Sequence, residues 1–179
     1  MSARNQKEAK PRVLAVASIG GHWIQLLRIV RPMCGRFDVT FCSTHPRCAA
    51  MVAAHRFHLI PDFNRKNIWR VFSAIGGIVR MLRRERPKAV ISTGAAPGLA
   101  VILVARLMGI RTIWVDSVAN VEHPSACGKI AMRIASRAYT QWPHLAREGR
   151  LIYAGNVFGD AESKVFGDAD GSDSPTNSL

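Results

Sequence analysis

The sequence predicts an α/β protein built on a single doubly wound parallel sheet, and three observations carry that prediction. Short β-type runs alternate with helical patterns, the mark of successive βαβ units. Glycine-rich or small-residue turns follow strands at Gly20 and Gly94, where a chain entering a helix must turn tightly. With 179 residues, 48% of them hydrophobic, the chain can fill one core but not two full α/β domains.

Residues 1–11 are polar and charged and read as a flexible basic arm. Residues 13–17 form a first strand, followed by the turn at 18–21. A helical pattern comes next, with Trp23, Leu26, Leu27 and Val30 on one face. Residues 37–42 read as a second strand, 46–54 as a second helix, and 58–60 as a short strand ended by Pro61. The longest helix pattern covers 67–86 and stops at Pro87. Its Ile68, Val71, Phe72, Ile75, Ile78, Val79 and Leu82 are expected to face the core. Strand 88–92, turn 93–97, helix 98–108 and strand 110–116 follow. Helix 125–136 and strands 138–141 and 151–153 complete a Rossmann-like domain over 12–159. The Gly-, Asp- and Ser-rich residues 160–179 are expected to be a disordered acidic tail. No internal repeat is visible.

The net charge is +13. In the tail, Asp160, Glu162, Asp168, Asp170 and Asp173 oppose Lys164 alone, leaving it at −4 and residues 1–159 at +17. Such an excess suits an anionic partner: nucleic acid, lipid head groups or phosphorylated substrates. Cys34, Cys42, Cys48 and Cys127 form no Cys-x-x-Cys pair, and His45, His55 and His58 add no metal-ligand spacing. Neither a metal nor a cofactor is expected. The first apolar run is too short for a signal peptide, and no stretch of about 18 apolar residues could span a membrane. The cysteines are expected to stay reduced, in the cytoplasm.

In a doubly wound sheet, ligands sit beyond the carboxyl ends of the strands where strand order switches. The loops at Gly20, Gly94 and Asp116 are therefore the candidates. Ser18, Gly20 and Gly21 bring a helix N-terminus, with free N–H groups and a positive dipole end, against a ligand phosphate. His22 would sit there to accept a proton from a hydroxyl or to donate a hydrogen bond to a phosphate oxygen; a plain turn with a solvated histidine is the competing reading. Neither a P-loop nor a Gly-x-Gly-x-x-Gly pattern is present. Ser92, Thr93, Gly94 and Ala95, with Pro97 in the first helical turn, repeat the arrangement. Asp116 would accept from a sugar or ribose hydroxyl, hold His22 in one tautomer, cap a helix or pair with a nearby Arg.

The segment 65–86 holds six arginines and a lysine against Glu85 alone. A solvated basic face accounts for part of this, but the imbalance exceeds what solubility requires. Trp69, Arg70, Arg80, Arg83 and Arg84 suit an anionic membrane surface, where each basic residue adds about 1 kcal/mol.

The order of these motifs resembles the Alg-fourteen-like family, including its bacterial exopolysaccharide counterparts, over about residues 13–158. The matching residues are Ser18, Gly20, Gly21 and His22; residues 92–98; Asp116, Ser117, Asn120 and Val121; Pro124, Ser125, Gly128 and Lys129; Gln141, Trp142 and Pro143; and Tyr153 to Gly155 with Asn156 beside them. That family is similar to the N-terminal half of MurG-type GT-B glycosyltransferases. The resemblance implies a peripheral subunit on the cytoplasmic face of the inner membrane. It would bind a polyprenyl-diphosphate-linked glycan acceptor near Ser18, Gly20, Gly21, Ser92, Thr93, Gly94 and Ala95. His22 and Asp116 would be the catalytic pair. Ser117, Asn120, Gln141, Trp142, Gly155 and Asn156 would meet the cleft or an Alg-thirteen-like partner, which supplies the UDP-sugar site. Metal-free transfer follows by the same resemblance. Family members often carry Glu where this chain has Asp116, and eukaryotic members begin with a membrane-spanning helix not seen here. Two alternatives differ in class: a basic nucleic-acid-binding module, disfavoured by the absence of any RNA or DNA motif, and a self-contained nucleotide-sugar enzyme.

Overall fold

Strand β1, Arg12–Ala17, buries its last five residues, as a strand covered on both faces must. Its alternation divides the core: Leu14 and Val16 belong to one apolar cluster, Val13, Ala15 and Ala17 to the other. In this computed structural model, which describes residues 9–62 and 70–159, β1 lies inside a seven-stranded sheet. The other strands are β2 (Asp38–Ser43), β3 (Arg56–Leu59), β4 (Ala89–Ser92), β5 (Arg111–Val115), β6 (Arg137–Thr140) and β7 (Ile152–Tyr153). The order is β3-β2-β1-β4-β5-β6-β7, and every pairing is parallel. Sheet and helices together give the doubly wound, Rossmann-like α/β fold that the alternating pattern predicts. Most of the expected arm, Trp69 and the whole acidic tail lie outside the described residues.

Among the described residues five α-helices connect the strands: α1 (Gly21–Val30), α2 (Arg47–Ala50), α3 (Arg70–Glu85), α4 (Ala95–Leu107) and α5 (Ala126–Ile134). On one face α4 packs between α3 and α5. Val101 and Ile102 of α4 join Ile78 and Leu82 of α3 and Trp114 of β5 in the larger cluster. On the other face α1 lays Trp23, Leu26, Leu27 and Val30 against Phe41, with Trp23 edge-on to the Phe41 ring at 5.9 Å.

Three expectations need correction. The second helix is a single turn, Arg47–Ala50, and the chain leaves it through turns that still bury Val52. Helix α4 starts at Ala95 rather than Gly98, since Pro97 in the first turn needs no N–H partner. In α3 the core stripe runs through Ala74, Ile78, Met81 and Leu82, while Phe72 is 66% and Ile75 36% exposed. Two rows through this helix satisfy near-helical spacing, and the sheet selects the row of Ala74 and Met81. The rejected row puts apolar side chains on the outer face beside Arg80, Arg83 and Arg84, all exposed.

Glu85 ends α3 with a buried carboxylate. It accepts hydrogen bonds from His58 Nε2 at 2.9 Å and Thr40 Oγ1 at 3.2 Å, and pairs with Arg56 Nε at 3.1 Å. Burial alone would raise its pKa. The His58 hydrogen bond, the Arg56 charge and the Thr40 hydroxyl outweigh that, and hold it below the usual carboxylate range. A depressed folded pKa stabilises the fold above the unfolded value, and the benefit is lost as pH falls through the folded one. Glu85→Gln should therefore cost about 1–3 kcal/mol at neutral pH. In urea unfolding the gap from the parent should close in acid; a gap independent of pH would show that the charge is not used.

Candidate functional site

Strands β1 and β4 are neighbours, with Val16 beside Ser92 in register, yet their helices depart to opposite faces of the sheet. That divergence is the switch point, and the crevice that such sheets offer a ligand would fall between the Gly20 and Gly94 turns. Gly20 has φ 95° and Gly94 φ 142°, conformations that side chains resist. Neither α1 nor α4 has a side-chain cap or an acidic residue in its first turn. Their N–H groups and positive dipole ends remain available to an anion. Helix α5 differs, since the Ser125 hydroxyl accepts from Gly128 N at 2.7 Å.

His22 and Thr93 clip the two turns together. The Thr93 hydroxyl donates to the His22 carbonyl, and His22 Nδ1 lies 2.9 Å from the Thr93 carbonyl oxygen. A carbonyl only accepts, so Nδ1 carries the proton and Nε2 is the basic nitrogen. Among the described residues Nε2 has no hydrogen-bond partner. Gly94 makes this placement possible: a Cβ there would stand 2.4 Å from His22 Nδ1. Ser92 and Thr93 are fully buried. The Ser92 hydroxyl faces Gly94 N at 3.4 Å and touches the position where Gly98 lacks a side chain. Both hydroxyls therefore shape the turn from within, and the exposed faces are those of Gly20 and Gly21, with Ala95 half-buried.

Ala95 holds φ 64° without being glycine, a strained conformation at the mouth of the crevice. Ala95→Gly should raise stability by about 0.5–1 kcal/mol, read as an upward shift in thermal unfolding. An unchanged or lower midpoint would show the strain is already relieved by packing.

Asp116 is 3% exposed, and its carboxylate is engaged with α5 rather than with His22. It accepts from Ser125 N at 2.8 Å, Ser125 Oγ at 2.6 Å and, more weakly, Trp114 Nε1 at 3.4 Å. Asp116 is not itself a helix cap; it holds Ser125, the residue that caps α5. Gly128 gives the carboxylate room, because a Cβ there would come within 2.9 Å of it. Gln25, buried on α1, donates to the Asp116 carbonyl at 2.9 Å and accepts from Val118 N at 3.2 Å. Gly98 and Gly128 fall within the sequence motifs, whereas Gln25 lies outside them. A polar glutamine within the apolar stripe of α1 was the one signal available.

Ser117 and Asn120 lie half-buried on the loop after β5, where Asn120 N bonds the Ser117 carbonyl at 3.1 Å. Gln141 and Trp142 are buried. Gln141 Oε1 accepts from Val157 N at 2.9 Å, and Trp142 Nε1 donates to the Val118 carbonyl at 2.8 Å. Gln141 and exposed Gly155 also border an apolar groove of about 280 Å³ over Ile113, Val115 and Tyr139. Asn156 caps the following turn through Phe158 N at 2.8 Å. The α3 arginines do not join the crevice residues in any hydrogen bond or ion pair described here. The side chain of Arg70 is outside the described set, and no helix of the described residues is long and apolar enough to cross a membrane.

The sequence matches the family model described as "Oligosaccharide biosynthesis protein Alg14 like" over residues 40–157. No curated protein matches it. Among solved structures, MurG from Acinetobacter baumannii superposes with a TM-score of 0.68 at 16% identity, covering 80% of this chain and 45% of that one. A UDP-GlcNAc 2-epimerase from Methanocaldococcus jannaschii gives 0.63 at 16% identity, with 81% and 45% covered. MnaA of S. aureus, solved with UDP, gives 0.63 at 12% identity, with 90% and 49% covered. The chain thus spans less than half the length of these structures, and at such identities the likeness is one of fold.

Proposed function

The chain belongs to the Alg14-like family of oligosaccharide biosynthesis proteins, and on that premise we propose that it is one half of a two-component glycosyltransferase. Its own half binds the acceptor, a polyprenyl-diphosphate-linked glycan, and recruits an Alg-thirteen-like subunit that holds the UDP-sugar. The observation that carries this reading is the switch point itself: two uncapped helix N-termini flank a histidine whose Nδ1–H is held by the Thr93 carbonyl. The acceptor diphosphate rests on the main chain at Ser18, Gly20, Gly21, Gly94 and Ala95, with Ser92 and Thr93 bracing the turn from behind.

His22 is the general base. As the acceptor hydroxyl oxygen bonds to the anomeric carbon of the donor sugar, Nε2 takes the hydroxyl proton. The bond from that carbon to the UDP oxygen breaks, and its electron pair leaves with UDP. Asp116 positions the loop that borders the crevice through Ser125 and α5. Ser117, Asn120, Gln141, Trp142, Gly155 and Asn156 frame the partner's side, and the apolar groove beside Gln141 gives the partner a surface to cover. Attachment is peripheral, on the cytoplasmic face of the inner membrane. The outer face of α3, with Phe72 and Ile75 beside Arg80, Arg83 and Arg84, supplies apolar contact and charge; Trp69 and Arg70 are assigned to the same role from the sequence alone.

The test is sugar transfer from UDP-sugar to lipid-linked acceptor in membranes, with the chain alone, a candidate partner alone, and the mixture. Turnover only in the mixture is expected. Full activity from the isolated chain would overturn the subunit reading, and salt-sensitive retention on RNA but not on anionic liposomes would favour a nucleic-acid role.

A further inference from the structure

A second concentration of positive charge lies away from the His22 crevice. Lys129 and Arg133, four residues apart on α5, share the lining of a cavity of about 170 Å³ with Arg147 and Arg150. The turn that carries the two last residues is tightly made. Arg150 N bonds the Arg147 carbonyl at 3.0 Å, Gly149 supplies φ 67°, and Arg147 bridges to Leu151. Both arginine backbones are thereby held at the ends of one turn. Arg150 also lines an adjoining polar cavity with Ser136 and Arg137.

Like charges at i, i+4 on a helix repel, and no ion pair among the described residues joins this group. The ion pairs described all use Asp38 or Glu85, at the other end of the sheet order. Glu122 and Glu148 are near in sequence but form none of them. Arg133 at the end of α5 gains from the helix dipole; the other three cations have no such reason to be there.

We infer that Lys129, Arg133, Arg147 and Arg150 form an anion pocket that grips the phosphate or diphosphate group of a ligand. The cavity is smaller than the roughly 300–1,000 Å³ that encloses a whole drug-sized ligand, so it suits a charged head group whose remainder lies outside. Planar guanidinium forks pair with phosphate oxygens two at a time. Met132 and Pro124 add an apolar wall. The pocket shares no lining residue with the crevice, and its chemistry does not depend on the glycosyltransferase reading. The phosphate can belong to a soluble metabolite or to a lipid head group, since α5 lies in the same helical layer as α3.

Arginine modification by phenylglyoxal, followed residue by residue with mass spectrometry on the full-length chain, tests this. Inorganic pyrophosphate should slow modification of Arg133, Arg147 and Arg150 several-fold and leave Arg36 and Arg106 unchanged. The crevice has no arginine, so pyrophosphate bound there gives no such signal. Arg133→Ala/Arg150→Ala should weaken the protection left at Arg147 about tenfold or more in pyrophosphate concentration; Arg36→Ala/Arg106→Ala, which loses the same charge, should not. Thermal unfolding of both variants checks that they fold. Vesicles of phosphatidylcholine with phosphatidylglycerol separate the sources: protection by vesicles, reversed by pyrophosphate, marks a lipid head group, and protection by pyrophosphate alone marks a soluble ligand. Absence of protection, equal protection at Arg36 and Arg106, or equal weakening in the control variant would overturn the pocket.

Discussion

His22→Ala should slow sugar transfer by the assembled enzyme by about 10²–10⁴-fold, the usual contribution of a positioned general base, while leaving assembly intact. The magnitude follows from geometry. The Thr93 carbonyl fixes the tautomer through Nδ1 at 2.9 Å, so Nε2 has one task and one direction. Gly94→Ala should reproduce much of the loss with the imidazole still present, because its Cβ would stand 2.4 Å from Nδ1 and its φ of 142° disfavours a side chain. Thermal unfolding separates this from collapse. His22→Ala should melt near the parent, having lost one half-exposed hydrogen bond worth about 1 kcal/mol. An unchanged transfer rate in His22→Ala would remove His22 from catalysis.

Asp116→Ala should be the most destabilising single change, at about 2–4 kcal/mol. The carboxylate is 3% exposed; its loss strands Ser125 N and the Ser125 hydroxyl, and with them the entry to α5. Gly128→Ala should cost a similar amount by pushing a methyl group against the same carboxylate. The double variant gives the sharper result. Once the carboxylate is gone the methyl has room, so the combined loss should fall well short of the sum. Additive losses in urea unfolding would show that the two residues act independently. At temperatures where Asp116→Ala remains folded, transfer should fall less than in His22→Ala, since the His22–Thr93 clip does not include Asp116.

The motifs legible in the chain were the turns. Two small-residue loops after strands, at Gly20 and Gly94, marked the crevice because glycine at a strand–helix junction has few other uses. What those loops hold was not legible. Ser92 and Thr93 looked like ligand hydroxyls, but they point inward, and the distance in sequence between Thr93 and His22 conceals that each bonds the other's carbonyl. Asp116 is open among four roles in the sequence, and only the fold brings its carboxylate to Ser125, the cap of α5. Gln141 and Trp142 stood out as a motif for the same hidden reason: they tie the chain after β7 and the loop after β5 to the sheet.

Helix α3 shows where local pattern stops. Its spacing admits two apolar rows, and the sequence cannot say which one the sheet covers. By itself the sequence determined the alternation of strands and helices, the parallel sheet and the place of the glycine turns, because these depend on period, chain length and backbone freedom. Tertiary structure alone decided that Phe72 and Ile75 face outward, that His22 has a single tautomer, and that four separated cations share one cavity. Each of those facts is a contact between residues distant in sequence or a choice of covered face, and no local pattern encodes either.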